Sequence, residues 1–388
     1  MNARGGISVD VSKFAIPEII FGRGSLHYAA LCARRLGAEK VLLVSDAGLE
    51  KAGWVRRLTD ILVEEKLTWV YYPHVESNPR DHQVQEGAKF YREQEADVIM
   101  AIGGGSPMDA AKGIAVVASN GGRIQDYEGA NRIHHPLPPM VAIPSTAGSG
   151  SDITQFAIIT DVDRHVKMTI ASRTLVPNIS IIDPLILLTK TEELIIAAAL
   201  DALSHAVESY VSKISSPFTE MQSLRAIQLI MQNLTEAVKS RSLENLEQLS
   251  IASTAAGMAF SNAGLGAEHA LAHSLGGMFD TLHGLVHPVL LPWIMRYNLP
   301  VSTKKMAEIG RIVLGKKLRT ARSTAQAGIE RLEEYFATFG VPLKLKEIVP
   351  DRTKLPELCQ MAINDVCLLT NPRPAAWQDL LQVCEEAW

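Results

Sequence analysis

Val98-Ile99-Met100-Ala101-Ile102-Gly103-Gly104-Gly105-Ser106 decides the fold. An unbroken apolar run reads as a strand buried on both faces, which belongs to a parallel sheet rather than a half-solvated antiparallel one. The glycines then let the backbone turn sharply and approach a ligand closely. A helical pattern follows over residues 108–118. The free N–H groups at such a helix start carry partial positive charge and suit a pyrophosphate. The run is not the G-x-G-x-x-G fingerprint, so alone it reads equally as a tight strand–helix turn.

Working outward, residues 41–46, 67–72, 140–143 and 179–182 read as further buried strands, and residues 49–65 and 83–94 as helices. Strands alternating with helices give an α/β layer with both faces of the sheet covered. After Pro184 the strand pattern stops. Residues 192–213, 217–241, 243–261, 267–281, 303–313, 324–339 and 378–387 read as helices, with Gly284, Pro288, Pro292, Pro300, Gly340 and Pro342 as breaks between them. The expectation is an α/β N-terminal Rossmann-like dinucleotide-binding domain over 1–186 and an all-α C-terminal domain over 187–388.

Hydrophobic residues at 47% and charged residues at 21% are ordinary for a globular chain with real cores. A net charge of -4 without a concentrated basic patch excludes nucleic acid and anionic membrane as partners. Cys32, Cys359, Cys367 and Cys384 form no CxxC pair, which fits a reducing compartment. Residues 1–12 contain no apolar segment of the secretory kind. Apolar stretches such as residues 194–200 fall short of the ~20 residues that span a bilayer. The chain is expected to be cytoplasmic.

Asp46 closes the strand 41–46. A carboxylate there accepts hydrogen bonds from an adenosine ribose and repels a 2′-phosphate, favouring NAD over NADP. It reads equally as a helix N-cap. Pro144-Ser145-Thr146-Ala147-Gly148-Ser149-Gly150-Ser151 follows another strand and packs small donors together. It suits phosphate or nicotinamide carboxamide; as a bare Gly/Ser loop it is only a linker.

Asp201 and His205 lie four apart in a helical pattern, so both face one way and can bite one ion. His269 and His273 share a face of a second helix, and His283 and His287 follow. Their neighbours are rich in Ala and Leu, so these polar groups are expected to be buried. A divalent cation removes the cost of burying them. Mixed carboxylate and imidazole donors suit iron(II), zinc or manganese rather than magnesium or calcium.

In order along the chain, Gly103-Gly104-Gly105-Ser106-Pro107-Met108-Asp109-Ala110-Ala111-Lys112, residues 143–154, Asp201-Ala202-Leu203-Ser204-His205-Ala206-Val207-Glu208, residues 258–284 and Thr370-Asn371-Pro372-Arg373-Pro374 resemble the signatures of the iron-containing (group III) alcohol dehydrogenases. The resemblance implies a dehydroquinate synthase-like fold, with a cleft between the α/β and helical domains. It puts metal ligands on Asp201, His205, His269 and His283, and His273 beside substrate and nicotinamide as the catalytic proton relay. Cofactor positions fall on Asp46, Asn78, Gly104, Gly105, Ser106, Ser145, Thr146, Ser149, Thr154 and Lys167. Phe260 faces the substrate pocket, and Phe156 joins it at a position that is polar in some members. His287 stands where Asn or Cys is frequent, Asp152 where Glu is commoner, Ser145 where Thr is commoner, and Ser274 where Pro is frequent.

The implied activity is hydride transfer between NAD(H) and a small alcohol or aldehyde, with Fe(2+) or Zn(2+), in a homodimer or higher homo-oligomer. His273 reads otherwise as an orienting or space-filling histidine. His287 reads as a brace for a ligand or as a core histidine, and Glu208 as structural. Three rivals stand beside this reading. One is a glycerol-dehydrogenase-like polyol enzyme with zinc, another a lyase pairing NAD with a metal, the third a metal-binding scaffold. Such a lyase handles a polyanion, and residues 260–290 hold no Lys or Arg to meet one.

Overall fold

Apolar side chains on both faces bring six short strands edge to edge in parallel. The computed structural model describes residues 13–279 and 281–388; the signal-peptide reading of residues 1–12 lies outside them. The strands are β1 (Glu18–Phe21), β2 (Lys40–Asp46), β3 (Thr68–Val75), β4 (Val98–Gly103), β5 (Gly129–Ala130), β6 (Met140–Pro144), β7 (Phe156–Asp161), β8 (Val166–Ala171) and β9 (Ile179–Ile182). The main sheet runs β1-β9-β6-β4-β2-β3, and every pairing in it is parallel.

Successive side chains of a strand point to opposite faces. Leu43, Met100 and Ile102 therefore join one core with α1 (Ala29–Arg35) and α3 (Trp54–Glu64). Leu42, Val44 and Ile99 join another with α4 (Asp81–Glu93) and α5 (Gly105–Asn120). The helix expected over 49–65 is two, α2 (Ala47–Lys51) and α3, because Gly53 turns left-handed at φ 83° between them. The chain passes from β2 outward to β3, then returns to β4 and on to β6. The carboxyl ends of β2 and β4 thus flank a switch point, where open α/β sheets bind ligands.

A second, three-stranded sheet, β5-β8-β7, was not expected. β7 and β8 form an antiparallel hairpin, Phe156 opposite Ala171.

Every helix and strand after Ile182 among the described residues is helical: α6 (Glu192–Val211), α7 (Pro217–Ser240), α8 (Leu243–Ala263), α9 (Ala267–Phe279), α10 (His287–Leu314), α11 (Ala321–Ala337), α12 (Leu355–Ala362) and α13 (Trp377–Glu386), with short 3-10 turns. α6 has the length and apolar composition of a membrane span, contrary to the expectation that no segment does, but 89% of its apolar window is buried inside the protein. It packs against α7, α8 and α10. A second departure is α10, which continues through Pro292 where the sequence suggested a break; just after Pro300 the break is real, since two helices meet in a kink at Ser302 (φ -119°, ψ 17°) ahead of the helix expected from residue 303. Leu291, Met295 and Ile309 anchor it in the helical core. At Pro292 tertiary burial overrides the local cost of proline.

Candidate metal centre and cofactor cleft

α6 presents Asp201 and His205 one turn apart, with His205 Nε2 at 3.4 Å from Asp201 Oδ1. α9 crosses it and brings His269 Nε2 to 3.6 Å from the same oxygen. The 3-10 turn His283–Leu285 brings His283 Nε2 to 3.9 Å. His287, the first residue of α10, brings its Nε2 nearest of all, to 3.1 Å. Gly284 is what lets that turn lie against α6, since a Cβ there would sit 2.3 Å from Ala197 O.

Donors at about 2.1 Å from one ion lie about 3.0–3.4 Å apart at octahedral or tetrahedral angles. Asp201 Oδ1, His269 Nε2 and His287 Nε2 are buried and have no hydrogen-bond partner among the described residues. Buried polar atoms are seldom left orphaned, and these share one point of convergence. The residues present fit a divalent transition-metal ion.

Carboxylates brace the imidazoles from behind. His269 Nδ1 lies 2.8 Å from Glu208 Oε2, and His287 Nδ1 lies 2.8 Å from Glu268 Oε1. Glu208 also accepts the backbone N–H groups of Gly266, Glu268 and His269, while Asn371 accepts that of Ala267. Together they satisfy the first turn of α9. His273 Nδ1 lies 2.8 Å from Asp365 Oδ2, and Asp365 is itself fixed by the Cys367 N–H. An Nδ1–H committed to a carboxylate leaves the Nε2 lone pair facing the site.

Burial presses the His269 and His287 imidazoles down, but the surrounding carboxylates, Glu268 and Asp201 for both and Glu208 for His269, together outweigh it and lift both, His287 to about 9. Burial holds His205 down to about 3 despite Asp201. Burial raises the Asp201 carboxyl, yet the surrounding imidazoles hold it well below the usual carboxylate range. Positive charge is thus what this carboxylate-rich centre favours.

Beside the donors opens a cavity of about 610 Å³, lined by both the sheet end and the helices. Of the residues singled out in the sequence, it brings together Asn78, Gly105, Ser106, Ser149, Thr154, Phe156, Lys167, Asp201, His205, Phe260, His269, His273 and His283. Gly104 caps α5, so Gly105 and Ser106 sit at the start of that helix. A Cβ on Gly105 would lie 3.2 Å from Ser149, crowding the floor on which a phosphate would rest. Asn78 donates its N–H to Ser106 Oγ at 3.2 Å and accepts from Lys167 Nζ at 2.7 Å. Phe260 stacks on His205 at 4.1 Å, and Phe156 lies parallel to Phe260 at 6.2 Å. These rings wall the cavity.

Asp46, Gly104, Ser145, Thr146 and His287 do not line it. Asp46 Oδ1 accepts the Leu49 N–H at 2.9 Å, the N-cap geometry. Thr146 sits against Gly104, and the Ser145 Oγ is buried without a hydrogen-bond partner. Sequence reasoning missed Glu268 and Asp365. Asp365 is 92 residues from His273, and no spacing relates the two.

Comparison with known proteins agrees with this geometry. Residues 17–184 match the family described as iron-containing alcohol dehydrogenase. Residues 195–388 match the Fe-containing alcohol dehydrogenase family, C-terminal. The chain is 36% identical to an NAD-dependent methanol dehydrogenase of Bacillus methanolicus, over 96% of this chain and 99% of that one. It is 37% identical to a 1,3-propanediol dehydrogenase of Klebsiella pneumoniae, over 98% of this chain and 100% of that one. A crystal structure of 1,3-propanediol oxidoreductase superposes with a TM-score of 0.94 at 36% identity, covering 97% of this chain and all of that one. From the strand–glycine–helix turn to the convergent histidines, this chain belongs to the iron-containing alcohol dehydrogenase family.

Proposed function

We propose that the protein is an NAD(H)-dependent alcohol dehydrogenase or aldehyde reductase acting on a small alcohol, diol or aldehyde. Asp201, His205, His269 and His283 hold one divalent ion, iron(II) or zinc. The observation that carries the reading is the convergence of the orphaned buried Nε2 atoms of His269 and His287 on Asp201 Oδ1, beside His205 and at the wall of a cavity that also contains the start of α5. The reach of that one cavity from residue 77 to residue 370 supports a division of the chain near 186/187, with the cleft between the two parts.

When bound, the ion supplies Lewis acidity at the substrate oxygen and the nicotinamide supplies the hydride acceptor. Gly105, Ser106 and Ser149 bind the pyrophosphate at the start of α5, with Gly104 and Thr146 shaping the turn. Asn78, Thr154 and Lys167 orient the rest of the cofactor, with the buried Ser145 supporting the loop behind them. Asp46 meets the adenosine ribose with the carboxylate oxygen not engaged in capping, and so favours NADH over NADPH. Phe156 and Phe260 exclude water from the reacting carbon. His273, its Nδ1 held by Asp365, takes the alcohol proton at Nε2 and passes it toward solvent. β1 lies at one edge of the main sheet among the described residues, which suits a homodimer, and buried free thiols suit the cytoplasm.

The test is anaerobic purification, metal quantification, and NADH oxidation with a panel of small aldehydes before and after chelation. About one iron or zinc per chain, with chelator-sensitive reduction that prefers NADH, is the expected result. A metal-free, nucleotide-free protein that reduces nothing overturns it.

A further inference from the structure

His287 is built into this centre in the same way as His269. Each ring gives Nδ1 to a buried carboxylate, His269 to Glu208 and His287 to Glu268, both at 2.8 Å. Each turns Nε2 toward Asp201 Oδ1 with no hydrogen-bond partner among the described residues. Glu268 Oε1 holds His287 Nδ1, while its Oε2 lies 3.0 Å from His269 Nδ1 but has no hydrogen-bond partner among the described residues. Glu268 is 0% exposed and His287 1%. A histidine that merely fills a core would satisfy both ring nitrogens, and His287 satisfies one. The four atoms Asp201 O, His269 Nε2, His283 Nε2 and His287 Nε2 fit one ligand shell, lying within 4.8 Å of one another.

We propose that His287 is a metal ligand through Nε2, so that one carboxylate and four imidazoles, with His205, hold the ion. This rests on the metal reading above. Five protein donors plus an open position exceed the four-coordination that zinc prefers in proteins. The site therefore favours a six-coordinate ion such as iron(II), manganese(II) or cobalt(II). Glu268 is the positioning residue, because its grip on Nδ1 fixes the ring and its tautomer.

The experiment uses the full-length protein loaded anaerobically with Co2+ alone, free of substrate. X-ray absorption counts the imidazoles on cobalt, and chelator competition gives its affinity, in the wild type and in His287→Asn. Four imidazoles in the wild type and three in the variant are expected. Affinity should fall by more than about 100-fold, beyond the roughly 10–100-fold typical of an outer-sphere partner. Three imidazoles in the wild type overturn the proposal and leave the metal reading standing, a result that needs no folded variant. An unchanged imidazole count in His287→Asn overturns it likewise. A wild type that retains no cobalt overturns both readings.

Discussion

At the scale of single residues, a histidine's function here follows from what holds its far nitrogen. His273 faces the cavity and is fixed from behind by Asp365. A positioned proton carrier contributes on the order of 100-fold or more to turnover. His273→Ala is therefore expected to lower kcat by about that factor while metal content stays at the wild-type level. Metal analysis beside steady-state kinetics checks this; metal lost with the activity would make His273 a ligand instead. Asp365→Asn keeps the shape but removes the anion that selects the tautomer. It should lower kcat and displace the pH profile without changing bound metal, and an unmoved profile would reduce Asp365 to a packing role. Asp46→Gly removes the charge that opposes a 2′-phosphate. Because glycine also caps helices, the cost in stability is only a few tenths of a kcal/mol. NADPH should then become a usable cofactor, read from the ratio of kcat/KM for the two nucleotides. The i,i+4 spacing of Asp201 and His205 made the metal-binding face legible in the sequence. The braces were not, because Asp365 and Asn371 act across long sequence separations and Glu268 meets His287 nineteen residues on, and none of these spacings carries a period.

At the scale of elements, five of the six main-sheet strands were legible because unbroken apolar runs leave little alternative, whereas β1, four half-exposed residues at the sheet edge, was not. β7 and β8 were not. β7 alternates one residue in and one out, but it follows a Gly/Ser loop that drew attention to itself. What secures that hairpin is Lys112, fully buried on α5. Its ammonium donates to Thr154 O at 2.7 Å and to Phe156 O at 2.8 Å. It sits among the buried carboxylates Asp109 and Asp152. Burial pushes the Lys112 amine down to about 8 and the Asp109 carboxyl up to about 6, and the charge of each opposes the shift of the other. Removing one partner from a buried ionic cluster leaves the rest uncompensated, at about 3–5 kcal/mol. Lys112→Met should lower the urea midpoint by that amount of stability and loosen Thr154 and Phe156 at the cavity wall. A variant as stable as the wild type would mean that the hairpin is held by its apolar face alone. Pro292 in α10 teaches the opposite lesson: a local breaker is overruled where both flanks of a helix are buried, which sequence period cannot reveal, whereas just after Pro300 the helix does kink, at Ser302.

At the scale of the whole molecule, the cavity is lined from both ends of the chain, with Gly105, Ser106 and Ser149 on one side and His273, His283 and Leu369 on the other. The loop that follows β6 also packs on α6, since a Cβ on Gly148 would meet Ala198 at 2.7 Å. A ligand that fills such a cleft binds the assembled molecule and neither half alone. Mass action then stabilises the folded state by about 2.7 kcal/mol at a hundredfold excess over Kd. NADH is expected to raise the thermal transition of the metal-loaded protein as a single event, and removing the metal with a chelator to lower it. Because Asp201 and the histidines of α9 line the same cavity as the α5 turn, the two effects should be coupled: metal removal should also weaken NADH binding measured by titration. Two separate calorimetric transitions, with NADH moving only one, would show instead that the cofactor is held by the α/β layer alone and that the helical layer contributes nothing to its grip.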